Sequence, residues 1–376
     1  MTAHIEKRLA ICWPHFGPYH FARLDALSKA LADDWHLCGF ETDPSDSTYE
    51  WSCEENQNRE WTHVKSAPTL VSHSLASYRP TIVFINGWGF PTSRRVWRWC
   101  LRNRTPKVLL SDSRASDKKR NRISEWAKSA YVKTFQAAVT AGESHAEYLV
   151  SLGMPRHKIH LGLDVVDNQY FSSRRSDHSS NTGHFSQTKD RPYFLGIGRW
   201  IKKKDWPLLI RAYATWSSSI DNPPELRLVG GGEMHRELNK MRLKYQLNEN
   251  LSLVPFQSYA TLPNLYQNAI ATVLPSREDE QWGLVVNESL AAGTPVIVST
   301  ECGCTESLVE HEKTGFIFQA GDEHSLRRML QKVYFLPSSS RKEVVRLGSS
   351  KIDSWGLPRF ASAIKESVTT CLLPEG

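Results

Sequence analysis

The chain has 376 residues, 40 % of them hydrophobic and 23 % charged, with a net charge of +7. At roughly 150 residues per domain that is length enough for two domains. The balance excludes a disordered chain, a collagen-like repeat and a coiled coil, and no apolar run approaches the about 18 residues that a membrane span needs.

The first half reads as short strands alternating with helices. The start, Met1 to Trp13, holds too short an apolar run for a secretory signal. Leu9 to Trp13 is a strand, followed by a turn over Pro14 to Pro18. A helix then carries Phe21, Leu24, Leu27 and Leu31 at three- and four-residue spacing. Thr81 to Ile85 and Lys107 to Leu110 are buried strands, with a basic amphipathic helix around Arg94 to Arg102 between them. Ala138 to Thr140 is a further strand, and a helix runs from about Ser144 to Leu152.

Charge concentrates in this half. From Arg94 to Lys133 there are 13 Lys and Arg against three acids (Asp112, Asp117, Glu125), a balance of +10, so the rest of the chain sums to −3. Trp97, Trp99 and Trp126 interleave with the cations. Such a surface attracts phosphates through long-range Coulomb forces. Its candidate partners are an anionic membrane face or a phosphorylated lipid; a plain solvated helix face is the alternative. Nucleic acid is not expected, because no helix-turn-helix, RNP or zinc-finger pattern accompanies the charge.

Ser172 to Asp190 is polar and aperiodic and reads as a linker. Beyond it the alternation resumes, with strands at Tyr193 to Ile197, Leu226 to Val229, Leu251 to Val254, Ala271 to Leu274 and Val296 to Ser299. Alternation in both halves predicts an α/β fold of two doubly wound, Rossmann-like domains facing a central cleft. The expected division is 1–171, a linker 172–190, 191–354, and a segment 355–376 that packs back on the first domain. Seven cysteines, odd in number and scattered, read as free thiols of a reducing cytosol. Cys302 and Cys304 have no second pair nearby and make a poor zinc site.

Four features follow one another in the second half. The strand ending at Ile197 runs into Gly198-Arg199, with Lys202, Lys203 and Lys204 close behind. Cations at a strand's carboxyl end suit a diphosphate, although a merely basic loop would look the same. Gly230-Gly231-Gly232 after the next strand, read as opening a helix, offers a nest of backbone N–H groups for an anion; a plain strand-to-helix turn is an equal account. Glu280 and Glu288 flank Trp282-Gly283-Leu284, where a helix should begin, and Gly293 with Pro295 should end it. Free N–H groups of that first turn would face whatever Glu280 holds. Glu301 to Val309 and Lys313 to Phe316 then follow the next strand, with the Cys302–Cys304 stretch read as a turn packed under the cleft.

Together, Gly198-Arg199 with Lys204, the glycines at 230 to 232, Glu280-x7-Glu288 and Gly293-Thr294-Pro295-Val296 resemble the retaining GT-B glycosyltransferases of the large family-4 group, over Tyr193 to about Leu330. The resemblance implies that Arg199 and Lys204 hold a donor diphosphate, that Glu280 meets the donor sugar and that Glu288 meets the ribose. It implies backbone contacts to phosphate from Trp282, Gly283 and Leu284, and a nucleotide base near Phe256 and Gln257. The first half departs from that pattern. Gly17 is its one candidate for backbone approach to the donor, and the family's frequent mid-domain His has no obvious counterpart. Asp112 and Ser113 stand at that place as sugar-facing candidates beside a plain strand-end turn. His15 and His20 read as structural or acceptor-side, and Asp164 to Asn168 as hinge-side structure.

The resemblance therefore implies transfer of a sugar from a nucleoside diphosphate to a glycan, lipid-linked or small-molecule acceptor, with retained anomeric configuration. It implies no metal and no other cofactor. The expected place is the cytoplasm, with residues 94–133 against the inner membrane face. Two alternatives stay open: a sugar-nucleotide 2-epimerase of similar architecture, and a non-catalytic protein that binds nucleotide sugars or anionic surfaces.

Overall fold

The computed structural model describes residues 6–43, 59–117, 120–173 and 191–372. Most of the stretch expected as a linker, 174–190, lies outside them, as does Cys53. The chain divides into two compact units. The described residues of Met1–Ala115, Lys119–Val166 and Gly356–Gly376 form the first, and those of Ser116–Lys118 and Asp167–Trp355 form the second.

The first unit opens with β1 (Lys7–Trp13), α1 (Pro18–Ala30), β2 (Trp35–Glu41), β3 (Thr62–Lys65) and α2 (Val71–Tyr78). It continues through β4 (Ile82–Asn86), α3 (Pro91–Asn103), β5 (Lys107–Ser111), α4 (Arg122–Val132), β6 (Ala137–Thr140), α5 (Glu143–Ser151) and β7 (Ile159–Leu161). The seven strands form one sheet in the order β3-β2-β1-β4-β5-β6-β7, and every pairing is parallel. Parallel pairing explains the composition of the central strands. Ile82 to Ile85 and Val108 to Leu110 are buried without alternation, because helices cover both faces of such a sheet. On one face Val71, Leu75, Val96, Cys100, Val132 and Leu149 join the strands in a single core.

The second unit holds α6 (Asn168–Ser172), β8 (Tyr193–Ile197), α7 (Trp206–Ser217), β9 (Glu225–Val229), α8 (His235–Lys244), β10 (Leu251–Val254), α9 (Leu262–Gln267) and β11 (Ala269–Leu274). After these come α10 (Leu284–Ala292), β12 (Val296–Ser299), α11 (Thr305–Leu308), β13 (Phe316–Phe318), α12 (Glu323–Tyr334) and α13 (Ser338–Asp353). Its sheet is again wholly parallel, in the order β10-β9-β8-β11-β12-β13. Trp206, Tyr213, Phe194 and Phe316 fill the core beneath it. The last helix, α14 (Leu357–Leu372), belongs to the first unit and packs on α1, β6 and β7. Phe360 and Ile364 are buried there.

Two readings of the sequence change. Gly230 to Gly232 do not open a helix directly; α8 starts at His235, after a turn in which the His235 N–H bonds the Gly232 carbonyl. Trp97 and Trp99 are not part of an exposed basic-aromatic face. Trp97 lies between helices, its indole N–H 2.9 Å from Thr134 Oγ1 and its ring 5.1 Å from Tyr131. Both tryptophans pack against the core.

Candidate functional site

The winding of the second unit decides where its chemistry lies. From β8 the chain moves outward to β9 and β10, then jumps back to β11 and moves outward the other way. Loops at the carboxyl ends of β8 and β11 therefore part in opposite directions and leave a crevice, the usual ligand position in such sheets.

Both loops carry charged residues to that point. Lys204, seven residues past β8, places Nζ 2.6 Å from Glu280 Oε2, six residues past β11. Ser276 donates to the same oxygen at 2.7 Å. Lys204 and Glu280 are both buried. Burial pushes the Glu280 carboxyl up, but the Lys204 and Lys203 charges, with hydrogen bonds from Lys204 and Ser276, outweigh it and hold the carboxyl below its usual range. Lys203 also donates to the Asp279 carbonyl at 2.9 Å, and its own carbonyl accepts the Arg277 N–H at 3.0 Å, so further bonds join the two loops. An ammonium has three N–H donors. Lys204 can therefore keep Glu280 and still offer protons to a phosphate.

Glycine opens the backbone around this pair. At Gly230, φ is +156°, and a Cβ there would lie 2.0 Å from the Gly198 carbonyl oxygen, so the β8 and β9 loops touch backbone to backbone. The Lys204 side chain would lie 3.5 Å from a Cβ at Gly198, and Phe256 covers Gly231 at 3.1 Å. Gln257 bonds back to the Pro255 carbonyl. Arg199 stands at the same edge and its carbonyl accepts the Trp206 indole N–H at 2.9 Å. Gly283 has φ +104°, caps the N-terminus of α10 and lies against Leu274, where a Cβ would come within 2.7 Å. The expected residues after β10, β9, β8 and β11 thus meet along four adjacent strand ends in that spatial order.

The α10 segment is tightly held. Trp282 donates its indole N–H to Asn287 Oδ1 at 2.9 Å and stacks on Trp355 at 5.5 Å. Leu284, the first residue of the helix, is partly exposed. Glu288 is buried in α10, where Tyr266 of α9 donates to Oε2. Ser276, Tyr266 and Asn287 were not anticipated from the sequence. Ser276 directly follows Pro275 and precedes Glu280 by four residues, a usable signal; Tyr266 lies 22 residues from Glu288 and offered none.

The first unit carries a different cluster at its strand ends. His15 Nδ1 lies 3.0 Å from Glu41 Oε1, and His63 Nε2 lies 3.2 Å from Oε2. The Phe16 N–H donates to Oε1 at 3.1 Å. Burial pushes the Glu41 carboxyl up, yet the His63 hydrogen bond, the Phe16 N–H and the two imidazoles hold it below its ordinary range. Neither Glu41 nor His63 was singled out in the sequence. The Gly17 N–H donates to His20 Nδ1 at 3.0 Å, which puts the His20 proton on Nε2. Burial, then the charges of Arg23 and His15, push His20 down to about 3, so it is neutral near pH 7. Asp112 and Ser113 directly follow β5, and the Ser113 N–H faces Ser111 Oγ at 3.4 Å.

No group of three or more His, Cys, Asp or Glu arranged to hold a metal occurs among the described residues. Cys302 and Cys304 are buried free thiols. No helix among those residues is long and apolar enough to cross a membrane.

Known proteins resemble this chain in sequence over its second half and in fold over nearly its whole length. Residues 181–347 match the family model described as Glycosyl transferases group 1. An uncharacterized glycosyltransferase of Methanocaldococcus jannaschii is 32 % identical over 126 residues, 34 % of this chain and 31 % of that protein. The O-antigen chain mannosyltransferase RfbU of Salmonella typhimurium is 31 % identical over 122 residues, 32 % of this chain and 33 % of that one. These matches span about a third of the relatives' lengths. Among solved structures, Anabaena HepE in complex with UDP and glucose superposes with a TM-score of 0.75 at 14 % identity, covering 97 % of this chain and 100 % of that one. Sucrose-phosphate synthase from Thermosynechococcus elongatus gives 0.73 at 18 % identity, covering 96 % and 98 %; at such identities the likeness establishes fold. Two wholly parallel Rossmann-like units accordingly give this chain the GT-B fold of these solved structures, and its residues 181–347 match the Glycosyl transferases group 1 family model.

Proposed function

We propose that the protein is a retaining, metal-independent glycosyltransferase that takes a sugar from a nucleoside diphosphate and passes it to an acceptor hydroxyl in glycan, polysaccharide or glycolipid synthesis. The observation that carries this reading is the Lys204–Glu280 contact across the β8/β11 switch point. In a donor complex Glu280 would accept from sugar hydroxyls, while Arg199, Lys204 and the backbone N–H groups at Gly283 and Leu284 would face the diphosphate. Glu288 would hold the ribose, and Phe256 and Gln257 would flank the base. That a solved structure of this fold holds UDP-glucose supports a nucleotide-sugar donor.

In the reaction the anomeric C–O bond to the diphosphate breaks and a bond from the acceptor oxygen forms on the same face. The acceptor hydroxyl's proton passes to the departing phosphate oxygen, so no protein base is required. Negative charge grows on the diphosphate as the old bond stretches. Cations and N–H dipoles already fixed around it stabilise that charge more than the ground state, which is the source of rate acceleration. Glu280, ion-paired and below its usual pKa range, is suited to hold hydroxyls and unsuited to act as a general acid. The strand-end cluster of the first unit, His15 with Glu41 and His63, is read as the acceptor side, with the acceptor presented from the cytoplasmic face of a membrane.

Thermal-shift screening with UDP, GDP, ADP and their sugars identifies the donor, since a selective ligand stabilises the folded state. Nucleotide release that depends on both donor and acceptor, and is lost in Arg199→Ala and Glu280→Ala proteins that still melt cooperatively, supports transfer. Interconversion of the donor without acceptor would replace it with the epimerase reading. Donor binding with no turnover on any acceptor would leave a nucleotide-sugar binding protein.

A further inference from the structure

Helices α2, α3 and α4 lie on one face of the first sheet, joined through a common core. Each follows a strand, so their N-terminal ends share the carboxyl edge of the sheet. Along that edge the chain exposes large apolar side chains one after another. Leu70 before α2 is 57 % exposed, Phe90 before α3 39 %, and Ile123 and Trp126 in α4 are 78 % and 74 % exposed. Ile123 and Trp126 are three residues apart and so sit together on one side of α4.

Cations surround these side chains. Arg94, Arg98 and Arg102 repeat at four-residue spacing along the outer side of α3, and Arg122 adjoins Ile123; all four are exposed. Acids are nearly absent. Neither α2 nor α3 contains one, and the single acid of α4, Glu125, is taken up by Lys128 at 2.7 Å and by the Tyr148 hydroxyl at 2.8 Å. An ordinary solvated helix face mixes both charge signs and leaves few large apolar residues bare. Here the face is basic, and its bare residues are of the kind that settle among lipid headgroups.

We infer that the α2–α4 face docks on an anionic lipid bilayer, with Trp126 and Ile123 entering the headgroup region and Arg94, Arg98 and Arg122 resting on lipid phosphates. Charge alone would suit a nucleic acid equally. The aliphatic Ile123 and Leu70, which neither stack on bases nor bond phosphates, favour the bilayer. The inference adds to the reading of an acceptor held at a membrane, yet it is measured separately from sugar transfer.

The test is co-sedimentation of the full chain with phosphatidylcholine vesicles, with and without about a third of phosphatidylglycerol. The wild type should bind the anionic vesicles alone, and less as salt is raised. Arg94→Gln, Arg98→Gln and Arg122→Gln combined should weaken binding roughly a hundredfold, about fivefold for each lost cation. Ile123→Ser with Trp126→Ser should weaken it at unchanged charge, and brominated lipid should quench wild-type tryptophan emission more than that of Trp126→Phe. Because these side chains are exposed, all variants should keep the wild-type melting profile and nucleotide release with a soluble acceptor. Three results overturn the inference: no binding to anionic vesicles, binding unaffected by the Ile123 and Trp126 changes, or tighter binding to a single-stranded oligonucleotide than to vesicles at equal salt.

Discussion

The two units are wound alike. In each, the second and third strands run outward from the first, and the chain then returns past it: β3-β2-β1-β4 in one, β10-β9-β8-β11 in the other. Their carboxyl edges nevertheless carry opposite contents. The second unit's edge is opened by glycine, with Gly198, Gly230, Gly232 and Gly283 all at positive φ, so backbone and a Lys204–Glu280 pair remain available to a ligand. At the β1–β3 end of the first unit's edge side chains fill the space instead, with Trp13, Phe16, His20 and His63 clustered around the buried Glu41 carboxylate. One sheet topology thus supports two surfaces, a backbone cradle and an aromatic-imidazole wall, and the loop residues alone select between them.

The sharpest way to break this contrast is at the ion pair. Lys204→Met leaves the Glu280 carboxylate buried without its main counter-charge and should cost about 3–5 kcal/mol. Lys204→Met with Glu280→Gln should recover part of that in chemical denaturation while donor-dependent release stays lost. If the single change costs no stability, the pair is not structurally coupled. Next in size is Gly230→Ala. Both the positive φ and the approach to the Gly198 carbonyl oppose a Cβ, so about 3 kcal/mol should be lost together with any thermal shift by nucleotide. Gly231→Ala, whose Cβ meets only the edge of Phe256, should fold nearly as well as the wild type.

Smaller effects refine the comparison. Tyr266→Phe removes a donor from buried Glu288 and should cost about 1.5–3 kcal/mol, read as a lower midpoint in urea. The last prediction concerns pH and the wall of the first unit. Glu41 and Glu280 both have carboxyl pKa values below the ordinary 4.5. Stability from such groups is complete above the unfolded-state value and is lost as pH falls through the folded one. Denaturation midpoints should therefore drop below about pH 4.5, and the acid-side slope should flatten in Glu41→Gln and, separately, in Glu280→Gln. An unchanged slope in Glu41→Gln would mean that the imidazoles do not hold this carboxylate.

Legibility in the sequence followed the strength of local signals. β8, β10 and β12 could be bounded to the residue, because short apolar runs there are closed by Gly, Pro or polar turns. Glycine likewise marked both ends of α10. β3, β7 and β13 are three or four residues long, too short to show a period, and were not read. β2 was missed as well, since Trp-His-Leu-Cys-Gly-Phe-Glu combines apolar residues with a glycine and no clear alternation. Trp97 and Trp99 looked like surface residues among arginines, but helical geometry turns them toward the core while Arg94 and Arg98 face outward.

By itself the sequence determined the α/β class, the positions of the loops that carry chemistry, and the residue types in them. Periodicity, glycine and charge act over a few residues, and such information survives in a linear string. Only the tertiary structure decided which loops meet. Lys204 and Glu280 are 76 residues apart and Glu41 and His63 are 22 apart, and each pair is joined by strand order. The physical reason is that parallel pairing gathers all carboxyl ends on one edge, while the order of strands across the sheet comes from packing many side chains at once.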